Sequence, residues 1–487
     1  MPNIRVRFAP SPTGFLHIGS LRTVLYNYLI AKKYGGTLIL RVEDTDRKRE
    51  VEGAAEGLVK ILDWAGLHFD EGPTQGGQFG PYIQSERLDI YKKYSEELLK
   101  AGSAYRCFCT PERLEKMRTQ QAEKKLPPRY DRTCRELSEA EVEKKIAAGE
   151  PYVLRQKLPL EGEIKMTDEI RGEISFEVKN LDDHVLIKQD GWPTYQFASV
   201  VDDHLMEISH VVRGDEWLSS FPKNILLYQA FGWTPPKFIH IPLVMNKEGG
   251  KLSKRQGDVA VEDFRAKGYL PEALVNFCVL LGWHPKGDVE TMTLAEIVSA
   301  FEIKDIGISP AIFDIEKLDY FNGYWIRQKP LSELVGLLKP YLRDCLKDAD
   351  ERMKSETFLT GVAMLAQERL KKLSEICELS DFLFERTLNY APEMLPWKKS
   401  TVEATRENLQ KIAELLEKVP ADEWTKHTTK ESVMNYLERL ELKKGDYLWP
   451  LRVALTGREQ SPGPFEVAEV LGREESLKRI NAAVEKL

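Results

Sequence analysis

The stretch Ile4-Arg-Val-Arg-Phe-Ala-Pro-Ser-Pro-Thr-Gly-Phe-Leu-His-Ile-Gly-Ser20 decides the fold, because it holds a strand, a loop and the start of a helix. Residues 4–8 alternate between apolar and charged side chains, which predicts a β-strand. The prolines and the glycine of residues 10–14 then predict a loop. Ser20 can cap a helix, and the apolar face of that helix consists of Leu21, Val24, Leu25, Tyr28 and Leu29.

A second strand follows the helix. Gly35-Gly36 is expected to end the helix, and Thr37-Leu-Ile-Leu-Arg-Val42 is typical of a buried strand. A strand–helix–strand unit predicts a parallel sheet with a nucleotide-binding crevice at the strand ends. We therefore expect an α/β protein with a Rossmann-type parallel-sheet catalytic domain.

The composition predicts a soluble, cytosolic protein. A chain of 487 residues exceeds one ordinary core, so roughly two to four domains are expected. The first residues lead straight into a strand pattern without an apolar targeting stretch, and apolar runs such as Val275–Gly282 are too short to span a bilayer. The net charge of −7 argues against a generally basic nucleic-acid coat, although a local basic face can still bind RNA.

The texture of the chain changes along its length. The Gly- and Pro-rich segment Glu71–Tyr82 predicts a long loop or a lid. Residues 105–190 mix charged helical stretches, short strands and a cysteine group, which indicates an α+β insertion. Parallel-strand character is expected again over residues 192–201 and 208–212. From Pro330 onward only helical stripes are found, formed by Leu334, Leu337, Leu338, Tyr341 and Leu342, by Leu409, Ile412 and Leu416, and by Val433, Leu437 and Leu440.

A second string, Lys251-Leu-Ser-Lys-Arg255, follows the polar, glycine-bearing segment 246–250. Alone, such a basic run is typical of a surface loop, and a lone loop histidine such as His17 is usually structural. Together, the glycines and helix amides of residues 10–20 and the lysines of the second string are two anion-binding devices. They predict one site for a polyphosphate, with His17 donating a hydrogen bond to the charge that develops on a phosphoryl group.

The two strings resemble the HIGH and KMSKS motifs of class I aminoacyl-tRNA synthetases. The flanking Phe8-Ala-Pro-Ser-Pro-Thr-Gly14 resembles bacterial-type glutamyl-tRNA synthetases, and the resemblance extends as far as Leu448-Trp-Pro-Leu-Arg-Val-Ala-Leu-Thr-Gly457. Ser20 departs from the final His of the HIGH tetrapeptide. The resemblance implies catalytic roles for His17, Lys251 and Lys254. It also implies an ATP site formed by His17, Gly19, Lys251, Ser253, Lys254 and Arg255.

The resemblance further implies a reaction and a division of the chain. L-Glutamate is activated with Mg-ATP to glutamyl-adenylate and transferred to the 3' end of tRNA(Glu), and the enzyme is expected to be a monomer. The implied domains are the two halves of the catalytic domain (1–104 and 191–240), an acceptor-binding insertion (105–190), a stem-contact domain with the KMSKS-like string (241–329) and a helical anticodon-binding domain (330–487).

The amino-acid pocket must bind a side-chain carboxylate and an α-ammonium group. Arginine suits the carboxylate, and Arg7 and Arg213 are the candidates, although the commoner fate of a single arginine is a surface ion pair. Glu43 suits the ammonium group. The resemblance implies a glutamate site formed by Arg7, Ala9, Ser11, Glu43, Tyr195, Arg213 and Glu216. Ser199 stands where the family often has an asparagine, so an amide contact is expected to be lost there.

Three cysteines, Cys107, Cys109 and Cys134, are spaced as zinc ligands. The family often carries a C-x-C…C arrangement at this spacing, and Tyr130 matches one of its ligand positions. Glu136 stands where the motif often has His or Asp and is the alternative fourth ligand. The other interpretation is three free thiols. Cys278, Cys345 and Cys377 are expected to be ordinary core or surface thiols.

The helical stretch from Met364 to Leu373 aligns Arg369 with the arginine by which discriminating family members read the third anticodon base. The resemblance therefore implies a preference for tRNA(Glu) over tRNA(Gln). Two other classes of function were weighed, a small-molecule nucleotidyltransferase and a non-catalytic tRNA-binding relative. The helical C-terminal third argues against the first, and the presence of His17, Lys251 and Lys254 argues against the second.

Overall fold

The computed structural model describes residues 4–12, 14–46, 51, 53–252, 259–347 and 349–487. The chain forms two compact units. The first unit comprises Met1–Ala266 and Pro271–Leu318, and the second comprises Lys267–Leu270 and Asp319–Leu487.

The strands of the described residues all lie in the first unit. Their bounds are β1 (Arg5–Phe8), β2 (Thr37–Leu40), β3 (Ala104–Cys107), β4 (Val153–Gln156), β5 (Glu163–Asp168), β6 (Gly172–Glu177), β7 (Val185–Ile187), β8 (His210–Gly214), β9 (Lys237–Ile241), β10 (Val244–Asn246) and β11 (Ala311–Phe313).

The helices divide between the units. Those up to the unit boundary are α1 (Ile18–Lys33), α2 (Ala54–Trp64), α3 (Leu88–Lys100), α4 (Pro111–Glu123), α5 (Glu139–Ala147), α6 (Tyr195–Leu205), α7 (Phe221–Phe231), α8 (Val261–Ala266), α9 (Pro271–Val279), α10 (Leu294–Ala300) and α11 (Ile315–Gln328), which runs across the boundary. The second unit continues with α12 (Leu331–Leu338), α13 (Glu356–Ala366), α14 (Ile376–Ser380), α15 (Val402–Glu417), α16 (Lys426–Arg439), α17 (Lys444–Thr456) and α18 (Pro464–Lys486).

The predicted strand–helix–strand unit is present. β1 and β2 pair in parallel in the register Arg5↔Thr37, and α1 connects them. The helix begins earlier than predicted, at Ile18, because His17 and not Ser20 is its cap residue. The histidine ring accepts a hydrogen bond from the amide of Gly19 and so satisfies a donor at the helix start.

The remaining catalytic sheet has the strand order β6-β5-β9-β8. β8 and β9 pair in parallel, and β9 pairs in parallel with β5 at Asp168↔Phe238. The amide of Ser209, next to β8, donates to the carbonyl of Arg5 in β1. These bonds confirm a parallel sheet, and they place β5 beside β9 although β5 lies within the stretch expected to form an insertion.

The expectation of a strand over residues 192–201 is wrong, because residues 195–205 form α6. Phe197, Ala198, Val200 and Val201 are buried, and the spacing of these positions is that of one helix face. The two β-branched valines had favoured a strand locally. The strand expected over residues 208–212 is found as β8.

The segment Glu71–Tyr82 forms no helix or strand and is an ordered loop, since Gly72 and Gly76 exchange two backbone hydrogen bonds. Tyr82 at its end is buried in the core between the sheet and α6. Around the cysteine group, β3, β4 and β7 form a separate antiparallel sheet.

The second unit is helical throughout its described residues. Leu334, Leu338, Leu342, Leu409, Ile412, Leu416, Val433 and Leu437 are buried as the predicted stripes require, whereas Leu440, just beyond α16, is 49% exposed. Cys345 and Cys377 do not remain separate thiols, because the fold brings them together in a disulfide. No helix within the described residues is both long and apolar enough to cross a membrane.

Candidate active site

A cavity of about 1270 Å³ lies at the carboxyl ends of β1 and β8. Eight of the residues predicted from the sequence line it, namely Arg7, Ala9, Ser11, His17, Glu43, Tyr195, Arg213 and Glu216. The position agrees with the rule that ligands of parallel α/β sheets bind at the carboxyl ends of the strands.

His17 is held in a defined orientation at the mouth of α1. Its Nδ1 accepts from the amide of Gly19 at 2.9 Å, so in the neutral ring the proton is carried by Nε2. The ring lines the cavity, while Gly19 contributes its amide to His17 and is not itself a lining residue.

The two sequence strings meet through their backbones. The amide of Ile18 donates to the carbonyl of Val259 at 2.9 Å, and the amide of Val261 donates to the carbonyl of Leu16 at 2.8 Å. At the other end of the basic string, Lys251 forms an ion pair of 3.7 Å with Glu216, which lines the cavity. Ser253, Lys254 and Arg255 lie outside the described residues.

Arg7 is buried, and its charge is already balanced. Its Nε and Nη2 donate to the two carboxylate oxygens of Asp203 at 3.0 and 3.2 Å. Asp203 also accepts from Arg41 at 2.7 Å. The Arg7 guanidinium, whose pKa is raised, therefore lines the cavity as half of a buried salt bridge.

Arg213 has a different environment. It is 6% exposed, and its Nε donates to His240 Nε2 at 2.9 Å. Its Nη1 and Nη2 lie 3.3 and 3.4 Å from Asn224 Oδ1. These partners are neutral, and no ion pair to a carboxylate is found for Arg213 among the described residues. Burial lowers the pKa of the guanidinium, but arginine stays charged, so the cavity contains a cation suited to a carboxylate ligand.

Glu43 is the anionic counterpart in the cavity. Burial raises the pKa of its carboxyl to about 7, against the opposing effects of Arg41 and Arg7. Arg41 Nη2 donates to Glu43 Oε1 at 2.9 Å. A carboxylate on the cavity wall is suited to an ammonium group.

Several site residues were not predicted from the sequence. Trp217 lines the cavity and packs on Tyr195 with ring centroids 4.5 Å apart. Its position directly after Glu216 was the available signal. Asp203, Asn224 and His240 act by holding the arginines, and their roles depend on long-range contacts that no local pattern indicates.

Ser199 is buried in α6, and its hydroxyl donates to the carbonyl of Gln196. It is not among the cavity-lining residues. The neighbouring Asp202 accepts from Arg87 at 2.7 Å and from Tyr91 at 2.8 Å. The acidic pair of α6 thus binds arginine and tyrosine side chains.

The cysteine group forms a compact set of donors. The sulfurs of Cys107, Cys109 and Cys134 come together in one candidate metal-binding group. The phenol oxygen of Tyr130 lies 3.2 Å from Cys107 Sγ and 3.5 Å from Cys109 Sγ. A hydrogen bond from Cys134 lowers the pKa of the Cys107 thiol to about 4. Glu136, whose side chain is 79% exposed and paired with Arg135, lies outside the group.

Arg369 does not lie within a helix, because α13 ends at Ala366. It is exposed on the turn that follows. Its Nη2 donates to the carbonyl of Ser461 at 2.6 Å, which anchors the guanidinium to the segment before α18.

The fold and the cavity are those of a class I tRNA synthetase. Residues 3–320 match the family model described as tRNA synthetases class I (E and Q), catalytic domain, and residues 333–484 match an anticodon binding domain. The chain belongs to this family of class I tRNA synthetases.

Individual relatives narrow the comparison to one activity. The chain is 48% identical to a glutamate–tRNA ligase of Clostridium botulinum over 99% of its own length and 98% of the relative. It is 46% identical to the corresponding ligase of Clostridium tetani over the same shares. A crystal structure of a glutamate tRNA ligase from Elizabethkingia meningosepticum in complex with its amino acid is similar over 100% of both chains, with a TM-score of 0.90 and 36% identity.

Proposed function

We propose that this chain is a glutamate–tRNA ligase that activates L-glutamate with ATP and transfers it to the 3' end of tRNA(Glu). The observation that carries the proposal is the cavity itself. It combines the uncompensated cation of Arg213 with the buried carboxyl of Glu43 beside the helix start at His17. Such a pocket offers charges for both ends of an acidic amino acid.

In the first step, an α-carboxylate oxygen of glutamate attacks the α-phosphorus of ATP and pyrophosphate leaves. Arg213 binds the side-chain carboxylate and Glu43 binds the α-ammonium group, so the nucleophile is oriented. His17 donates from Nε2 to a phosphate oxygen. Lys251 and Lys254 neutralise the triphosphate, which enters as its Mg²⁺ complex. Catalysis is therefore mainly positioning and charge neutralisation.

In the second step, a terminal ribose hydroxyl of the tRNA attacks the carbonyl carbon of glutamyl-adenylate, and AMP leaves. We assign residues 105–190 to the acceptor end of the tRNA, residues 241–329 to its stem and residues 330–487 to its anticodon. The family model for an anticodon binding domain over residues 333–484 supports the last assignment.

The cysteine group fits a structural zinc ion. Three thiols and the Tyr130 phenol supply four donors, and four-coordinate sites rich in sulfur are typical of structural zinc. Cys107, Cys109, Tyr130 and Cys134 would hold the ion, which would cross-link β3 to the segment that contains Tyr130 and Cys134. Arg155, 3.9 Å above the Tyr130 ring, favours electron density on the phenol oxygen.

The proposal is tested by charging assays that compare tRNA(Glu) with tRNA(Gln) and glutamate with glutamine. We expect efficient formation of glutamyl-tRNA(Glu) alone. Efficient use of glutamine would place the chain in the glutaminyl branch of the family, and charging of neither amino acid would refute the ligase assignment.

A further inference from the structure

Arg213 is held at the cavity by a chain of three side chains on adjacent strands. Arg213 lies in β8, His240 in β9 and Asp168 at the end of β5. His240 and Asp168 have completely buried side chains and are not among the residues that line the cavity. Neither residue can therefore contact a substrate, and any role in the reaction must act through Arg213.

The hydrogen bonds determine the tautomer of His240. Arginine Nε is a donor only, so His240 Nε2 must accept the 2.9 Å bond from Arg213. The imidazole proton is then on Nδ1, which lies 2.7 Å from Asp168 Oδ2. Burial lowers the pKa of His240, which agrees with a neutral ring.

Asp168 is fixed in turn by the backbone. Its Oδ1 accepts from the amides of Ile170 and Arg171 at 3.1 and 3.0 Å, and its Oδ2 also accepts from the amide of His240 at 2.9 Å. Hydrogen bonds from His240 and from backbone amides hold the pKa of this carboxyl below its ordinary value in spite of burial. Asp168 is thus an ionised anchor that selects one imidazole tautomer.

We infer that His240, held in its Nδ1–H tautomer by Asp168, is a positioning residue that sets the Arg213 guanidinium for the carboxylate of the amino-acid substrate. The inference deepens the proposed function and rests on it. The imidazole orients Arg213 without neutralising it, because the carboxylate is one side chain further away.

The contrast with Arg7 shows why the intermediate matters. Arg7 binds Asp203 directly through two nitrogens, so its charge is satisfied before substrate arrives. Arg213 receives its orientation from neutral acceptors, His240 Nε2 and Asn224 Oδ1. Charge recognition in the pocket therefore depends on Arg213 and on the residues that hold it.

Two substitutions at His240 separate the two hydrogen bonds. In His240→Asn, the amide nitrogen can occupy the Nδ1 position and donate to Asp168, but no atom reaches Arg213. In His240→Gln, the longer side chain can place its oxygen near the Nε2 position and accept from Arg213. We expect His240→Asn to raise the KM for glutamate about tenfold or more, as for a lost hydrogen bond to a charged group. His240→Gln should recover most of that loss, and the KM for ATP should change less than about twofold in both.

A double-mutant cycle tests the link to Asp168. Asp168→Asn should raise the KM for glutamate in the wild-type background and have little further effect in the His240→Asn background, because Asp168 acts through His240. His210→Asn is the matched control, since His210 is a buried histidine of β8 whose Nδ1 contacts Ser209. It should leave both KM values unchanged.

The outcomes distinguish the inference from the proposed function. If wild-type enzyme does not activate glutamate, both fall. If wild-type enzyme is active and His240→Asn leaves the KM for glutamate unchanged, or changes the KM for ATP equally, the positioning role alone is refuted. Should His240→Asn fail to fold in a thermal unfolding assay, the decision passes to His240→Gln and Asp168→Asn. A larger KM increase in His240→Gln than in Asp168→Asn would then overturn the inference.

Discussion

The amide of Ile18 donates to the carbonyl of Val259 at 2.9 Å. Ile18 directly follows His17, and Val259 is the first described residue after the basic string. A backbone hydrogen bond keeps its register whatever side chains surround it, so the main chain itself aligns the two strings. With Lys251 paired to Glu216 on the cavity side, the arrangement predicts a shared contribution of both strings to the triphosphate.

Loss of Lys251 should slow the activation step. Lys251→Ala removes a cation beside the cavity, and we expect the rate of glutamate-dependent pyrophosphate exchange, with tRNA(Glu) present, to fall by about tenfold to a hundredfold. Affinity for tRNA should change much less. Lys247→Ala is the control, because Lys247 is an exposed lysine of the same segment. Equal effects of the two substitutions would argue for a general electrostatic contribution instead of a phosphate contact.

The affinity for glutamate should depend on pH through Glu43. Its carboxyl has a pKa of about 7, so below this pH it becomes neutral and no longer attracts the α-ammonium group. We expect the KM for glutamate to rise as the pH falls below about 7, by at most about tenfold per pH unit for a single proton. Glu43→Gln should have a high KM that does not vary over this range. A wild-type KM that is constant from pH 6 to 8 would remove Glu43 from ammonium binding.

Zinc should be present at about one ion per chain, as expected for a four-ligand structural site. Metal analysis of protein purified without chelators measures this directly. Cys107→Ser should release the ion and make residues 105–190 more sensitive to proteolysis. Cys278→Ser is the control, since Cys278 is a buried cysteine of α9, and it should keep the metal. Metal-free wild-type protein would leave the three cysteines as plain thiols.

Arg369 should contribute to the choice of tRNA. Arginine has only donors and suits the two acceptors on the pairing edge of cytosine, whereas guanine presents donors there. Arg369→Gln should reduce the ratio of kcat/KM for tRNA(Glu) over tRNA(Gln), because an amide both donates and accepts. Arg439→Gln, at the exposed end of α16, serves as the comparison. If the ratio is unchanged in Arg369→Gln, the bond to Ser461 is the only role of this residue.

The sequence by itself determined the elements whose signals are local. The alternation of residues 5–8 and the glycines and prolines that follow were sufficient for β1, its loop and the start of α1. The spacing of Cys107, Cys109 and Cys134 was sufficient to bring three sulfurs together, as the structure confirms. Local signals failed for residues 195–201, where the β-branched propensity of two valines yielded to burial of one helix face.

Only the tertiary structure decided which arginine of the pocket keeps an unpaired charge. Arg7 and Arg213 are equivalent as sequence candidates. Arg7, however, meets Asp203 across 196 residues of chain, while Arg213 meets His240 and Asn224. The pairing of Cys345 with Cys377 was equally hidden. The physical reason is that the charge state and orientation of a buried group depend on the neighbours that folding brings to it, and these neighbours come from distant strands and helices.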